Sequence, residues 1–187
     1  MLIKKLLRKI KRFFDFLIGD KSDEIYWRYK SFFNSDWRNG YLDLNTDTHP
    51  HRKLLLNKLT HLNLINSILE VGCGNGINLR MINKKIPGIE LEGFDINKKA
   101  LSEGVNILKR ENISNITLKH QSAKNLGSYD TGQFEVVLCD AVLMYIGPNN
   151  IKQVLKEIVR ISKKSVIICE QHTNGSSFYD DKWVHNY

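Results

Sequence analysis

The sequence has no long hydrophobic run. No stretch reaches the roughly eighteen unbroken apolar residues that a membrane-spanning helix needs, so none of these residues is expected to cross a bilayer as a helix. Cysteine is scarce. Cys73, Cys139 and Cys169 are odd in number, far apart and without a CxxC pair. That pattern makes no disulfide framework, and a reducing cytoplasm is the expected compartment. A small-residue cleavage site is also missing behind the N-terminal apolar residues, so a secretory signal is not expected. There is no internal repeat and no low-complexity tract.

A chain of 187 residues is long enough for one well-buried core and short for two. Hydrophobic residues at 42% and charged residues at 26% are ordinary for a soluble fold. The net charge of +8 is unevenly placed. Lys4, Lys5, Arg8, Lys9, Lys11 and Arg12 put six cations in the first twelve residues; set aside from +8, they leave only +2 for the rest. Across residues 2–18, Ile3, Leu6, Ile10, Phe13 and Leu17 recur three and four apart, which is one face of a helix with the basic residues opposite. We take residues 1–20 as a basic amphipathic helix. Packing on its own domain or on a second copy in a homodimer is one reading. Lying on an anionic membrane surface, with Phe and Leu inserted, is the other. Nucleic acid is not the expected partner, because no basic surface stands out beyond this helix.

Residues 21–48 form an aromatic-rich lid or cap segment, with Tyr26, Trp27, Tyr29, Phe32, Phe33, Trp37 and Tyr41 close together. His49-Pro50 then opens a helix to about residue 63, with proline in the first turn. From there strands and helices alternate. Strands are predicted at 67–71, 89–94, 116–119, 134–139 and 165–170, and helices at 76–85, 97–111 and 150–162. Continuous apolar strands such as FEVVLC and SVIIC belong in a buried parallel sheet. The expected fold over residues 49–187 is α/β, a doubly wound, mostly parallel sheet with helices on both faces.

Ligands bind such sheets beyond the carboxyl ends of the strands. There the sequence places Glu70 and the loop Gly72-Cys73-Gly74-Asn75-Gly76, then Asp95, then Gln121-Ser122-Ala123, then Asp140, then Glu170-Gln171-His172. A pyrophosphate-binding loop needs GxGxxG. Here the spacing is GxGxG, with the acid Glu70 just ahead of it. That acid suits a cationic ligand, and Asp95 can accept both hydroxyls of a ribose. The implied ligand has a ribose and a cationic end and no pyrophosphate.

LEVGCGNG, LEGFDIN and QFEVVLCDAVLMYIGP, in this order, resemble the class I S-adenosylmethionine-dependent methyltransferases over residues 50–172. The resemblance implies their Rossmann-like fold. It implies that Glu70, Gly72, Cys73, Gly74 and Gly76 lie along the methionine moiety of S-adenosyl-L-methionine, with S-adenosyl-L-homocysteine as product. Asp95 then takes the ribose, Ile96 the adenine face, Ser122 and Ala123 the adenine edge, and Asp140 the sulfonium end. The family's sheet normally continues after the fifth strand, and only seventeen residues follow Glu170, so its final antiparallel strands are expected to be missing.

Methyl transfer is an in-line displacement that needs alignment and no metal. With an oxygen acceptor a general base helps. Asp140 and His172 are the catalytic candidates. Arg38, His49 and His51 are the substrate-side candidates. No Asn-Pro-Pro-Tyr motif follows the fourth strand, which favours oxygen or carbon acceptors over planar nitrogen. The expected function is transfer to a small-molecule, glycan or lipid-linked acceptor, in the cytoplasm and peripheral on the membrane if residues 2–18 bind lipid. The competing readings are a non-catalytic cofactor-binding subunit completed by a partner, and an RNA or protein methyltransferase.

Overall fold

The structure, a computed structural model, describes residues 24, 25, 27, 28, 49–62, 64–175, 177–179 and 182–187. Residues 1–20, Arg38 and most of the aromatic segment lie outside them.

Helix α1, Pro50–Thr60, begins where expected. Pro50 occupies the first turn and the His49 side chain accepts from the His51 N–H as N-cap. The helix ends at Thr60, short of 63, and Leu64 takes a left-handed φ of +52°. The alternation then runs β1 Ser67–Val71, α2 Ile77–Lys85, β2 Glu90–Asp95, α3 Lys98–Arg110, β3 Ile116–His120, β4 Phe134–Asp140, α4 Pro148–Ile161 and β5 Ser162–Cys169. Short 3-10 turns follow β3 at Leu126–Ser128 and β4 at Leu143–Tyr145. β5 starts three residues earlier than expected. Ser162 pairs with Phe134 across a register shift, and its hydroxyl donates to the Ser165 carbonyl at 2.8 Å, so the bulge joins helix to strand with no loop.

The five strands pair in parallel in the order β3-β2-β1-β4-β5. Strand alternation divides their side chains between two cores. Ile68, Leu91, Val136 and Leu138 meet Leu59 of α1, Leu79 and Ile82 of α2, and Leu101 and Leu108 of α3. Leu69, Val71, Val137 and Cys139 meet Ile151, Val154, Ile158 and Ile161 of α4 on the opposite face. Each fully buried aliphatic side chain adds roughly 1.5–3 kcal/mol, which is why the strands read as unbroken apolar runs.

The main sheet has no antiparallel strand among the described residues. An antiparallel pair does form, β6 Ser177–Tyr179 with β7 Lys182–Val184, but as a sheet of its own. It is followed by His185, which makes a parallel bridge with His172 and is 2% exposed.

Candidate active site

The period of two in a strand decides which acids meet. Glu70 follows Ile68 by two, Asp95 follows Leu91 by four and Asp140 follows Val136 by four. All three therefore point to the face that carries α1, α2 and α3, at the carboxyl ends of three neighbouring strands. Three carboxylates gathered on one edge repel unless they are bridged or neutralised. Asn78, in the first turn of α2, does the bridging. Its Nδ2 donates to Glu70 Oε1 at 2.7 Å and to Asp140 Oδ2 at 2.9 Å, and its Oδ1 accepts from Arg52 Nε at 2.9 Å.

Glu70 is 2% exposed, and its Oε2 is buried with no hydrogen-bond partner. Burial pushes its carboxyl up to about 8; Asn78 and Arg52 pull down, while Asp140 and Asp95 push further up. Asp95 is also raised, chiefly by burial, against the N–H groups of Asn97 and Gly74. Its Oδ1 accepts from Asn97 at 2.7 Å and its Oδ2 from Gly74 at 2.8 Å. These bonds lock the carboxylate and leave each oxygen a second lone pair.

The glycine loop shows what it can hold. Gly72 and Cys73 both donate their N–H to the Phe94 carbonyl at 2.9 Å, Gly74 donates to Asp95, and Gly76 to the Cys73 carbonyl at 2.9 Å. With those N–H groups spent inside the protein, the loop does not offer the cradle of donors that a pyrophosphate requires. Gly72, Gly74 and Gly76 all have left-handed φ, +72°, +56° and +74°. A Cβ on Gly72 would also run into the Val142 side chain, with Val142 Cβ at 2.8 Å. The Cys73 side chain is buried and turned toward Gly93, so only its backbone faces the loop's outer side.

Beside the loop lies a cavity lined by Gly72, Asp95, Ile96, Ser122 and Ala123, and closed by Ala141, Val142, Tyr145 and Ile146 from the segment after β4. Trp27 also lines it, with its ring edge-on to Tyr145 at 4.6 Å, and Lys124 Nζ sits 3.7 Å from Glu24. Residues of the expected lid segment thus meet the cavity beside Tyr145 and beside Lys124. Glu70, Asp140 and Asn78 form a second polar group next to it, beyond Gly72.

Asp140 Oδ2 is also 3.3 Å from His51 Nε2, with the Asp140 side chain 8% exposed and the His51 side chain 34%. His51 Nδ1 faces His49 Nδ1 at 2.5 Å, with the ring centroids 4.5 Å apart. The structure thus brings together Glu70, Asp140, His51 and His49, and separately Asp95, Ile96, Ser122 and Ala123. His172 belongs to neither group. It is exposed, and its Nε2 is 3.1 Å from Asn186 Oδ1. Arg52 and Asn78 were not singled out from sequence. The available signal was a polar side chain at a helix position flanked by Ile77 and Leu79, on the face that the sheet buries.

The profile described as a methyltransferase domain matches residues 68–165. The chain belongs to the class I S-adenosylmethionine-dependent methyltransferases. A protein of Rickettsia prowazekii (strain Madrid E), itself uncharacterised, is 29% identical over 112 residues, 59% of this chain and 40% of its own length. The ubiquinone biosynthesis O-methyltransferase of Acinetobacter baumannii (strain AYE) is 27% identical over 94 residues, 50% of this chain and 39% of its own length. The chain therefore spans about two fifths of the length of these curated relatives. Among solved structures, a Pyrococcus horikoshii OT3 protein has a TM-score of 0.61 at 21% identity, over 72% of this chain and 65% of that one. The plantazolicin methyltransferase BpumL, solved with a desmethyl-plantazolicin analogue and S-adenosylhomocysteine, has a TM-score of 0.57 at 22% identity, over 82% of this chain and 61% of its own. At these identities the likeness is one of fold.

The residues present fit the family's cofactor. Glu70 Oε2 is a buried acceptor without a donor, suited to an ammonium group. Asp95 is braced to accept a diol, and Ile96, Ser122 and Ala123 line an apolar slot of the kind a purine fills.

Proposed function

We propose that this chain transfers a methyl group from S-adenosylmethionine to an oxygen acceptor on a small-molecule, glycan or lipid-linked compound. The observation that carries the oxygen preference is the His51–Asp140 pair, a general base with its orienting carboxylate, joined through Asn78 to the carboxylate that suits the cofactor's ammonium end. The name of the Acinetobacter relative, an O-methyltransferase of ubiquinone biosynthesis, is in keeping with it.

The bound cofactor supplies a methyl group on a sulfonium, already activated for displacement. The chain's part is placement and proton traffic. Glu70 Oε2 would hold the ammonium group of the bound cofactor. Asp95 takes the ribose hydroxyls, with each charge-assisted bond worth roughly 1.5–3 kcal/mol. Asp140 accepts from His51 Nε2–H and so orients the ring, whose Nδ1 is turned to His49. The acceptor's hydroxyl proton is taken up by the His51–His49 pair as the methyl group leaves the sulfonium, and His49, at the exposed end of the pair, hands it to solvent. Alignment of the acceptor oxygen with the methyl carbon supplies most of the rate, and base catalysis adds about 10²–10⁴-fold.

The test is a transfer assay with methyl-labelled S-adenosylmethionine against a panel of phenols, alcohols and amines, run beside calorimetric titration with S-adenosylhomocysteine. We expect micromolar binding that is lost in Asp95→Ala. We expect label in hydroxyl compounds, reduced by about 10²-fold or more in His51→Ala while product affinity changes little. Label confined to amines would remove the oxygen reading, and no binding at all would remove the cofactor reading.

A further inference from the structure

The segment after β4 forms one wall of the cavity but has little to hold it in place by itself. Ala141 sits at a left-handed φ of +54°, which a non-glycine residue adopts only under constraint. The single 3-10 turn Leu143–Tyr145 has Val142 as N-cap, with no side-chain cap bond of its own. A turn this short cannot hold itself, and its leading N–H groups need partners from elsewhere.

One atom supplies them. Glu170 Oε1, one residue beyond β5, accepts from Val142 N at 2.6 Å and from Leu143 N at 2.7 Å. At the other end of the turn His185 Nε2 donates to the Ile146 carbonyl at 2.8 Å. The wall is thus fastened at both ends by residues that do not themselves line the cavity.

What is fastened matters to the ligand. Val142 is the side chain that a Cβ on Gly72 would strike, so its position fixes the clearance over the glycine loop. Tyr145 and Ile146 line the cavity, and Trp27 rests on Tyr145. Moving the Val142 and Leu143 amides therefore moves both the clearance over Gly72 and the seat of Trp27.

We propose that Glu170 is a positioning residue for the adenosyl half of the cofactor: its carboxylate, by capping Val142 and Leu143 from the neighbouring strand, sets the cavity wall. The proposal rests on the cofactor reading given above. Burial pushes the Glu170 carboxyl up to about 7, with the Leu143 and Val142 N–H groups opposing and Asp140 adding to the rise.

The experiment compares the full chain with Glu170→Ala and Glu170→Gln. Glutamine keeps a carbonyl oxygen for the two N–H groups; alanine does not. Binding of S-adenosylhomocysteine and of 5′-methylthioadenosine, which lacks the amino-acid end, is measured by calorimetry, and amide exchange is followed at Val142 and Leu143. We expect Glu170→Ala to weaken both nucleosides about tenfold or more and by the same factor, the loss of two charge-assisted bonds at the wall. Its Val142 and Leu143 amides should exchange about tenfold or more faster, while amides of β1 and β4 keep their protection. Glu170→Gln should restore affinity to within about threefold and protect both amides again. Affinity unchanged in Glu170→Ala, or glutamine failing as badly as alanine, overturns the proposal while leaving the cofactor reading intact. If the unmodified chain binds neither nucleoside, the cofactor reading fails and this proposal falls with it.

Discussion

Glu70 carries a proton where its ordinary value would have it ionised. Its carboxyl lies at about 8 against an ordinary 4.5, raised first by burial. Oε1 accepts from Asn78, and Oε2 is the atom without a partner. Folding takes a group that ionises near 4.5 and keeps it neutral to about 8, so between those values the native state holds more protons than the unfolded one. Stability is then highest below the lower value and falls as pH rises through the upper one. Glu170, raised to about 7, has the same sign. The ligand-free protein should melt at a lower temperature at about pH 8.5 than at about pH 6, and Glu70→Gln should remove much of that drop. Scanning calorimetry of both proteins at the two pH values checks this. A profile that falls as steeply in Glu70→Gln as in the parent would assign the drop to other groups. The same residue shows what sequence makes visible. Glu70, Asp95 and Asp140 could be read as site acids because strand ends are marked by where apolar runs stop. Asn78, Arg52 and Glu170 could not be assigned roles, because each acts on groups 8 to 62 positions away that only folding brings within reach.

Between elements, α3 fits tightly against the glycine loop. A Cβ on Gly104 would lie 2.6 Å from the Asn75 carbonyl oxygen and 2.6 Å from Leu118 Cδ1. Leu118 can shift, but the carbonyl belongs to the loop backbone and cannot. Gly104 is helical with ordinary φ, so alanine should favour α3 by propensity alone. Packing should win. Gly104→Ala should cost about 1–3 kcal/mol of unfolding free energy, read from denaturant titration, and weaken S-adenosylhomocysteine binding, because relief comes by displacing Asn75 and with it the loop. An alanine variant as stable as the parent would mean that α3 slides on the sheet without disturbing the loop. Element types in the main sheet and its helices were legible from pattern, since the central strands β1 and β4 are buried on both faces and α3 and α4 are amphipathic. The boundaries that moved have local causes. β5 begins early because a bulge at Phe134/Val136 lets Ser162 pair at once. The β6–β7 pair was not expected because a separate three-residue hairpin carries no apolar run to announce it.

At the scale of the molecule, charge separates the chain into two parts. Six cations stand in the first twelve residues, and +2 of the total +8 remains for all the others. Those residues lie outside the described structure, and among the described residues no helix is long and apolar enough to cross a membrane. A periodic apolar face of Ile3, Leu6, Ile10, Phe13 and Leu17 beneath such a charge is suited to an anionic surface. Each basic side chain near a leaflet rich in anionic lipid contributes about 1 kcal/mol, so six of them with a few inserted apolar side chains would give reversible attachment. Such attachment would bring the site to lipid-linked acceptors without any lipid-binding groove in the domain itself. The full chain should therefore co-sediment with vesicles containing about one third phosphatidylglycerol and much less with neutral vesicles, and salt at about 0.5 M should release it, because screening shortens the reach of those charges. Deleting residues 1–18 should abolish sedimentation and leave S-adenosylhomocysteine affinity within about twofold, since the cavity and the carboxylate cluster are built from residues 24 onward. A deleted chain that still pellets with the anionic vesicles would move the membrane contact into the domain. A full chain that ignores them, and dimerises only when residues 1–18 are present, would assign the segment to packing against a second copy.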